Sequence, residues 1–188
     1  MKYKVTYDGI TKTYVPLYHT AWYLFHSVNE QRHAGARLNL QAAAVFYAFA
    51  FEAYLNHVGA EEIEIWEEIE RISHTKKLRI IAKHLKLSLD QSRPPFQTLA
   101  ELFGLRDILA HGRTRIIDVE YETNDEPPRL SSWRIHEWEK LTAEKVDGYA
   151  DSVHKAIEII NKARVCPDKD LWGQGMRGRR VETIEKKR

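Results

Sequence analysis

The sequence predicts an all-α protein, an up-and-down helical bundle with small accessory β-hairpins. Most of the chain repeats its apolar residues with the helical period of about 3.6, and strand-like alternation is confined to two short segments. The breaks between the helical stretches are short and hold proline, glycine or polar residues, as in antiparallel helix packing. With 188 residues, of which 43% are hydrophobic and 30% charged, the chain can form one domain with a hydrophobic core.

The sequence also argues against a secreted protein, a membrane protein and a metal-binding protein. The N-terminus lacks a secretory signal, and the most apolar stretch, residues 42–55, is shorter than the roughly 20 residues that span a bilayer. A single cysteine, Cys166, cannot form an internal disulfide. His19, His26 and His33 recur every seven residues, about 10 Å apart along a helix, which is too far for one metal ion. We therefore expect a cytoplasmic protein with no membrane contact, no metal and no cofactor.

The predicted domain covers residues 1–164 and includes both strand-like segments. Residues 1–15 alternate polar and apolar side chains around Asp8-Gly9, which predicts an N-terminal hairpin. Residues 113–137 alternate in the same way and are interpreted as a hairpin insertion. Residues 165–188 are rich in glycine, arginine and lysine and are expected to form a basic flexible tail.

The first four helices follow from changes in the hydrophobic period. The first extends from Pro16 to near Gly35. The second starts at the N-cap Asn39, is apolar on nearly every face through Leu55, and should end before Gly59. An acidic helix from Glu61 to about Arg71 and a basic one from Thr75 to about Leu87 follow.

The last two helices have the clearest ends. Pro94-Pro95 opens a helix from about Phe96 to His111, and Gly112 is placed to end it. Thr142 can cap a final helix from about Ala143 to Arg164.

The helix that ends at His111 holds an arginine where an apolar residue is expected. On a helical wheel Arg106 lies within the face formed by Leu99, Leu102, Leu105, Leu109 and Ala110. A buried guanidinium needs a carboxylate, a phosphate or a subunit boundary beside it. Asp107 and His111 are four residues apart and share a face, so this carboxylate is expected to orient the imidazole.

Arg106 and His111 are five residues apart, about 140° around the helix axis. One helix therefore does not aim both side chains at a single atom unless the arginine curls back. Two such helices packed across a two-fold axis would bring two arginines and two histidines into one cleft. This argument predicts a homodimer with a composite active site.

These residues resemble the HEPN superfamily, whose members are small α-helical bundles and include many metal-independent endoribonucleases. The resemblance rests on Arg106-Asp107-Ile108-Leu109-Ala110-His111, which fits that family's arginine, polar residue, three-residue spacer, histidine pattern. A weaker likeness is residues 51–56, which are similar to the central-helix sequence of several HEPN groups. The similarity covers roughly residues 37–115 and leaves out both hairpins and the tail.

The resemblance implies an RNA-cleaving reaction. His111 would act as general acid or base while the RNA 2′-hydroxyl attacks phosphorus, and Arg106 would stabilise the phosphorane. The products would be a 2′,3′-cyclic phosphate and a 5′-hydroxyl. Roles as a toxin with a cognate antitoxin protein, or in stress or phage defence, are frequent in that family. The alternative is a non-catalytic HEPN-like module that binds a nucleotide, RNA or a protein.

Four further residues are candidates for a supporting role in binding RNA. Arg113 and Arg115 follow the motif directly and are placed to bind phosphate. Glu52 lies in the apolar second helix and needs a basic partner, for which Arg106 or Arg79 is the obvious candidate. Asn56 lies one turn further along that helix. For Glu52 and Asn56, a purely structural role is the competing interpretation.

Overall fold

The computed structural model describes residues 2–28, 35–112, 122, 124, 141–173 and 175–184. Within these ranges the chain forms six helices and one two-stranded antiparallel sheet, which confirms the all-α prediction. In chain order the elements are β1 (Lys2–Ile10), α1 (Tyr14–Ser27), α2 (Gly35–Glu62), α3 (Trp66–Ile69), α4 (His74–His84), α5 (Phe96–Ala110), α6 (Ala143–Ala163) and β2 (Gly175–Ile184).

The N-terminal hairpin predicted for residues 1–15 is wrong. Strand β1 is continuous through Asp8-Gly9 and pairs with β2, with Lys2 opposite Ile184, Val5 opposite Val181 and Ile10 opposite Gly175. The register shifts between Asp8 and Gly9, so the residues that suggested a turn lie at a bulge instead. Because β2 lies within residues 165–188, that segment is not wholly a flexible tail. The hairpin predicted for residues 113–137 falls almost entirely outside the described residues.

The chain divides into two compact units. The first consists of Met1–His19, Phe49–Leu89 and Ile157–Arg188, and the second of Thr20–Ala48 and Asp90–Ala156. Helices α1, α2 and α6 each contribute residues to both units. The first unit holds the sheet together with α3 and α4, and the second holds α5.

Helix α2 supplies the centre of the hydrophobic core. Nine of its side chains are fully buried: Ala43, Ala44, Tyr47, Ala48, Ala50, Phe51, Tyr54, Leu55 and Val58. Its length and hydropathy also meet the criterion for a membrane span, but half of the apolar window is buried within the protein. Such burial is typical of the core helix of a soluble protein, because side chains that already contact protein do not face lipid.

Helix α2 extends past the glycine that was predicted to end it. Gly59 lies inside the helix, and a Cβ atom there would stand 2.2 Å from the indole of Trp66. Trp66 itself is only 2% exposed, so its ring occupies the space that a side chain at position 59 would need. Glu61 and Glu62 therefore belong to α2, and the predicted acidic helix is reduced to the four residues of α3.

The last two helices agree closely with their predicted bounds. Helix α5 begins at Phe96, directly after Pro95, and ends one residue before His111. Helix α6 ends at Ala163, and its first turn is capped by the Thr142 hydroxyl, which accepts a hydrogen bond from the Lys145 N–H at 3.2 Å. The predicted apolar stripe of α6 is buried, and consists of Val146, Tyr149, Val153, Ile157 and Ile160.

A test of the Trp66 packing is the substitution Gly59→Ala. The added methyl group would force the indole out of position, and overpacking of this kind lowers the free energy of unfolding by about 1–3 kcal/mol. Gly148→Ala, inside α6, is the matched control, because no described atom lies within 4 Å of a Cβ there. We expect the control to raise the free energy of unfolding by about 0.5–1 kcal/mol. Urea unfolding measures both, and stabilisation by Gly59→Ala would contradict the packing.

Candidate active site at the end of helix α5

Helix α5 has a buried inner face formed by Phe96, Leu99, Leu102, Phe103 and Leu105. Arg106 continues this face into the last turn of the helix, as the sequence predicted. Its side chain is 19% exposed, so the guanidinium lies at the margin of the buried region. The carbon that joins its three nitrogens lies 5.9 Å from the centre of the Phe103 ring, within range of a cation–π contact.

Asp107 pairs with Arg106. An Nη1–H of Arg106 donates to Oδ1 of Asp107 at 2.7 Å, which is a short, charge-assisted hydrogen bond. Asp107 was predicted to orient His111, but no side-chain hydrogen bond between these two described residues is present. The physical reason is that a permanently charged guanidinium next to the carboxylate attracts it more strongly than an imidazole.

His111 is the residue at which α5 ends. Its backbone leaves the helical conformation, at φ −116° and ψ 18°, while its N–H still donates to the Asp107 carbonyl at 2.9 Å. The imidazole is exposed to solvent. Gly112 follows, and a Cβ there would come within 3.1 Å of the Ile108 carbonyl oxygen, so a glycine fits this tight helix end. The backbone of His111 is thus fixed at the helix end, and its imidazole is accessible to a ligand.

Part of the outer face of α5 carries small or apolar residues although it is exposed, and the polar Gln97 and Glu101 lie beside them. Ala100, Gly104, Ile108 and His111 follow one another at intervals of four, four and three residues, so they share one face. Ile108 is 44% exposed. No described atom lies within 4 Å of a Cβ built on Gly104. This outer stripe (Ala100, Gly104, Ile108, His111) offers a surface on which another helix could pack closely.

The predicted supporting residues Glu52 and Asn56 belong to the other unit. Lys77 of α4 donates to Oε1 of Glu52 at 3.0 Å, and the lysine side chain is 4% exposed against 23% for the glutamate. The expected basic partner of Glu52 is thus present, but Lys77 was not among the candidates. Oδ1 of Asn56 is buried without a hydrogen-bond partner in the described part of the chain. Arg113 and Arg115 lie outside the described residues.

A second polar cluster, in the first unit, was missed at the sequence level. It is centred on Arg164, whose side chain is 5% exposed and lies just beyond α6. Its Nε–H donates to Glu62 at 2.8 Å and its Nη2–H to Glu61 at 2.5 Å. These two bonds join the end of α6 to the end of α2. Burial opposes the charge on Arg164, but the two glutamates outweigh it and raise its pKa.

The same cluster holds the segment after α6 against the start of α1. Lys12 is buried, forms an ion pair with Asp168 at 2.5 Å and also donates to the Asp170 carbonyl. The Tyr14 hydroxyl donates to the Leu171 carbonyl at 2.5 Å. Although burial alone would raise the pKa of Asp168, the hydrogen bond from Lys12 keeps it below the usual range. Because these residues are spread over more than 150 positions of the chain, no local sequence pattern indicates that they form a cluster.

His57 lies within this cluster, which we call the polar junction (Lys12, Tyr14, His57, Glu61, Glu62, Arg164, Asp168). Its side chain is 12% exposed, and its Nε2 atom lies 3.6 Å from Glu61, slightly beyond hydrogen-bond range. Burial lowers the pKa of His57 below 6.5; Arg164 and Lys12 act in the same direction, and Glu61 and Asp168 oppose them. His57 is therefore neutral in the folded protein near pH 7.

The stability of the protein should fall as the pH is lowered through the range in which unfolded histidine binds protons. Because the pKa of His57 is lower in the folded state, the unfolded state takes up the proton first, and stability present above about pH 6.5 is lost below it. His57→Gln should reduce this loss between about pH 7 and 5.5. Thermal unfolding over that range measures it, with His84→Gln at the exposed end of α4 as control. An equal pH dependence in wild type and His57→Gln would contradict the assignment.

No protein-family model matches the chain, and comparisons with curated proteins and with solved structures found no match either. The HEPN resemblance therefore rests on the residues of α5 and α2 themselves.

Proposed function

We propose that the protein is a metal-independent endoribonuclease of the HEPN type that cleaves RNA at the end of helix α5. The observation that carries the proposal is the pairing of a restrained cation with an exposed imidazole at one helix end. Arg106 is held by Asp107 and Phe103 at the margin of the core, and His111 is exposed five residues later. Arginine and histidine are the two kinds of side chain that this reaction uses.

The reaction uses a nucleophile that the substrate itself carries. The RNA 2′-hydroxyl attacks the adjacent phosphorus, its proton passes to a histidine base, and the bond to the 5′-oxygen breaks. The leaving oxygen takes a proton from a histidine acid, which leaves a 2′,3′-cyclic phosphate and a 5′-hydroxyl. Arg106 would bind the phosphorane oxygens, whose negative charge is greatest in the transition state. DNA lacks the 2′-hydroxyl and should not be cleaved.

The site is proposed to be completed by a second copy of the chain. One base and one acid are needed, and a two-fold axis supplies two copies of His111. The outer stripe of α5 supports this arrangement, because it ends at His111 and exposes Ile108. Glycine inside a helix costs about 0.5–1 kcal/mol relative to alanine. No described atom lies within 4 Å of a Cβ built on Gly104, so the glycine would let a partner helix approach closely.

Cleavage should be lost when either motif residue is removed. We expect purified wild-type protein to cleave single-stranded RNA in EDTA, and Arg106→Ala and His111→Ala to lower the rate by about 100-fold or more. Arg93→Ala and His84→Ala are matched controls, because both side chains are exposed and lie outside α5. End-group analysis should find 2′,3′-cyclic phosphates. Equal cleavage by all five proteins would indicate a contaminant and contradict the proposal.

RNA binding by the wild type without any cleavage would instead favour the non-catalytic HEPN-like module. That result would be read from the same proteins by adding a binding measurement with labelled RNA. The two functions are separable because a binding module needs neither an acid nor a base.

The composite site makes a second prediction, which mixed dimers can test. Wild-type and His111→Ala proteins are mixed in equal amounts and allowed to exchange subunits, so that only about a quarter of the dimers keep two copies of His111. If one copy acts as base and the other as acid, cleavage should fall to about a quarter of that of wild-type protein at the same total concentration, rather than to about half. Gly104→Gln should shift the protein toward monomer in light scattering and lower cleavage, whereas Gly148→Gln should leave it dimeric. A wild-type monomer that cleaves RNA would contradict the composite site.

A further inference from the structure

The two-stranded sheet is distinct from the candidate active site and has unusual exposure. We call β1 and β2 together the basic ribbon (Lys2–Ile10, Gly175–Ile184). The side chains of Tyr3, Lys4, Val5 and Thr6 are all exposed, although successive residues of a strand face opposite sides. Tyr3 is 58% exposed and Val5 is 40% exposed. Within β1, these four side chains are therefore open to solvent whichever side of the strand they face.

Residues 3–6 of β1 gain little stability from burial. Two-stranded sheets are marginal in water unless one face is covered, and here an aromatic and a β-branched side chain stay exposed. A partner that covers the ribbon would explain both features.

The charge of the ribbon indicates the kind of partner. It contains five basic residues, Lys2, Lys4, Arg177, Arg179 and Arg180, and two acidic ones, Asp8 and Glu182. Its net charge of +3 exceeds the +2 of the whole chain, so the rest of the protein is close to neutral. Positive charge is thus concentrated on one small element, as expected of a surface that binds a polyanion.

The register spreads the arginines along the ribbon. Arg179 and Arg180 pair with Tyr7 and Thr6, at the middle of β1. The partner of β1 changes from Gly178 at Asp8 to Met176 at Gly9, so Arg177 is the extra residue of the bulge. Basic residues therefore follow one another along the strand direction, beside a strand that carries exposed Tyr3.

We propose that the basic ribbon binds single-stranded RNA, with arginines on the phosphates and Tyr3 stacked on a base. The charge of the ribbon indicates a polyanion, and the choice of RNA as that polyanion rests on the proposed function. Basic grooves with aromatic side chains are the general means of holding single strands, because every base offers a flat face. A duplex fits less well, since the major groove of A-form RNA is too deep and narrow to admit a ribbon.

Binding can be measured without cleavage by using a labelled 2′-O-methyl RNA of about 20 nucleotides, which lacks the nucleophile. Fluorescence anisotropy with the full-length protein should give tight, salt-dependent binding. In Arg179→Gln/Arg180→Gln the loss of two phosphate contacts should weaken binding on the order of 25-fold at 0.1 M salt, with a salt slope lower by about 1.4. Lys76→Gln/Lys83→Gln on α4 removes the same charge from two exposed positions and should change binding little.

Two further variants separate loss of contacts from loss of structure. Glu182→Gln removes a negative charge from the ribbon and should strengthen binding by roughly fivefold, which a damaged ribbon cannot do. Tyr3→Ser should weaken binding about fivefold or more if a base stacks there. Equal weakening by the α4 control, unchanged binding in Tyr3→Ser, or tighter binding of duplex RNA would overturn the proposal. None of these measurements depends on cleavage. RNA binding by the ribbon and the proposed nuclease activity are therefore tested independently.

Discussion

The burial of helix α2 is the constraint on which the rest of the structure depends. Nine of its side chains are fully buried, and at helical spacing they form one broad face from Ala43 to Val58. Such a face is stable only when other parts of the chain cover it. Residues 35–48 of this helix belong to one unit and residues 49–62 to the other, so each unit contains part of this face.

This burial also determines how charge is placed beside α2. Glu52 is charged within an apolar helix, and a carboxylate there is tolerable only with a partner. Lys77 meets this need, but a lysine buried to 4% exposure has itself been removed from water, so each charge makes the other acceptable. At the end of α2 the same logic applies to Glu61 and Glu62, which together hold Arg164.

The sequence predicted those features that depend on neighbouring residues. The ends of α5 and α6 were correct within a residue, because Pro95, Gly112 and Thr142 act on the adjacent turn. Gly59 misled the prediction of α2, since its role is to admit Trp66 rather than to end a helix. Asp8-Gly9 misled it too, because the strand that pairs with β1 lies more than 160 residues away. Pairing over such a distance leaves no local pattern to read.

The positions of Arg106 and His111 on α5 were predicted correctly, but the partner of Asp107 was not. The sequence placed Arg106 on the inner face of α5 and His111 at its end, and the structure agrees on both. Helical spacing alone suggested that Asp107 would serve His111. Spacing does not rank competing partners, however, and the guanidinium next to the carboxylate is the stronger one. The polar junction was missed for the opposite reason, since its members are far apart in sequence.

The contrast between the two polar clusters argues for chemistry at the end of α5. In the polar junction, Arg164 forms ion pairs with two glutamates and its side chain is 5% exposed. Its charge therefore links the end of α6 to the end of α2 and is not accessible to a ligand. A group that acts on a substrate must instead be reachable and must keep an unused position. His111 is exposed, and its backbone N–H bonds to the Asp107 carbonyl at the end of the helix. Arg106 is 19% exposed, and the aspartate that pairs with it is 47% exposed. A phosphate could approach this pair without breaking the fold, whereas at Arg164 it would have to displace two carboxylates.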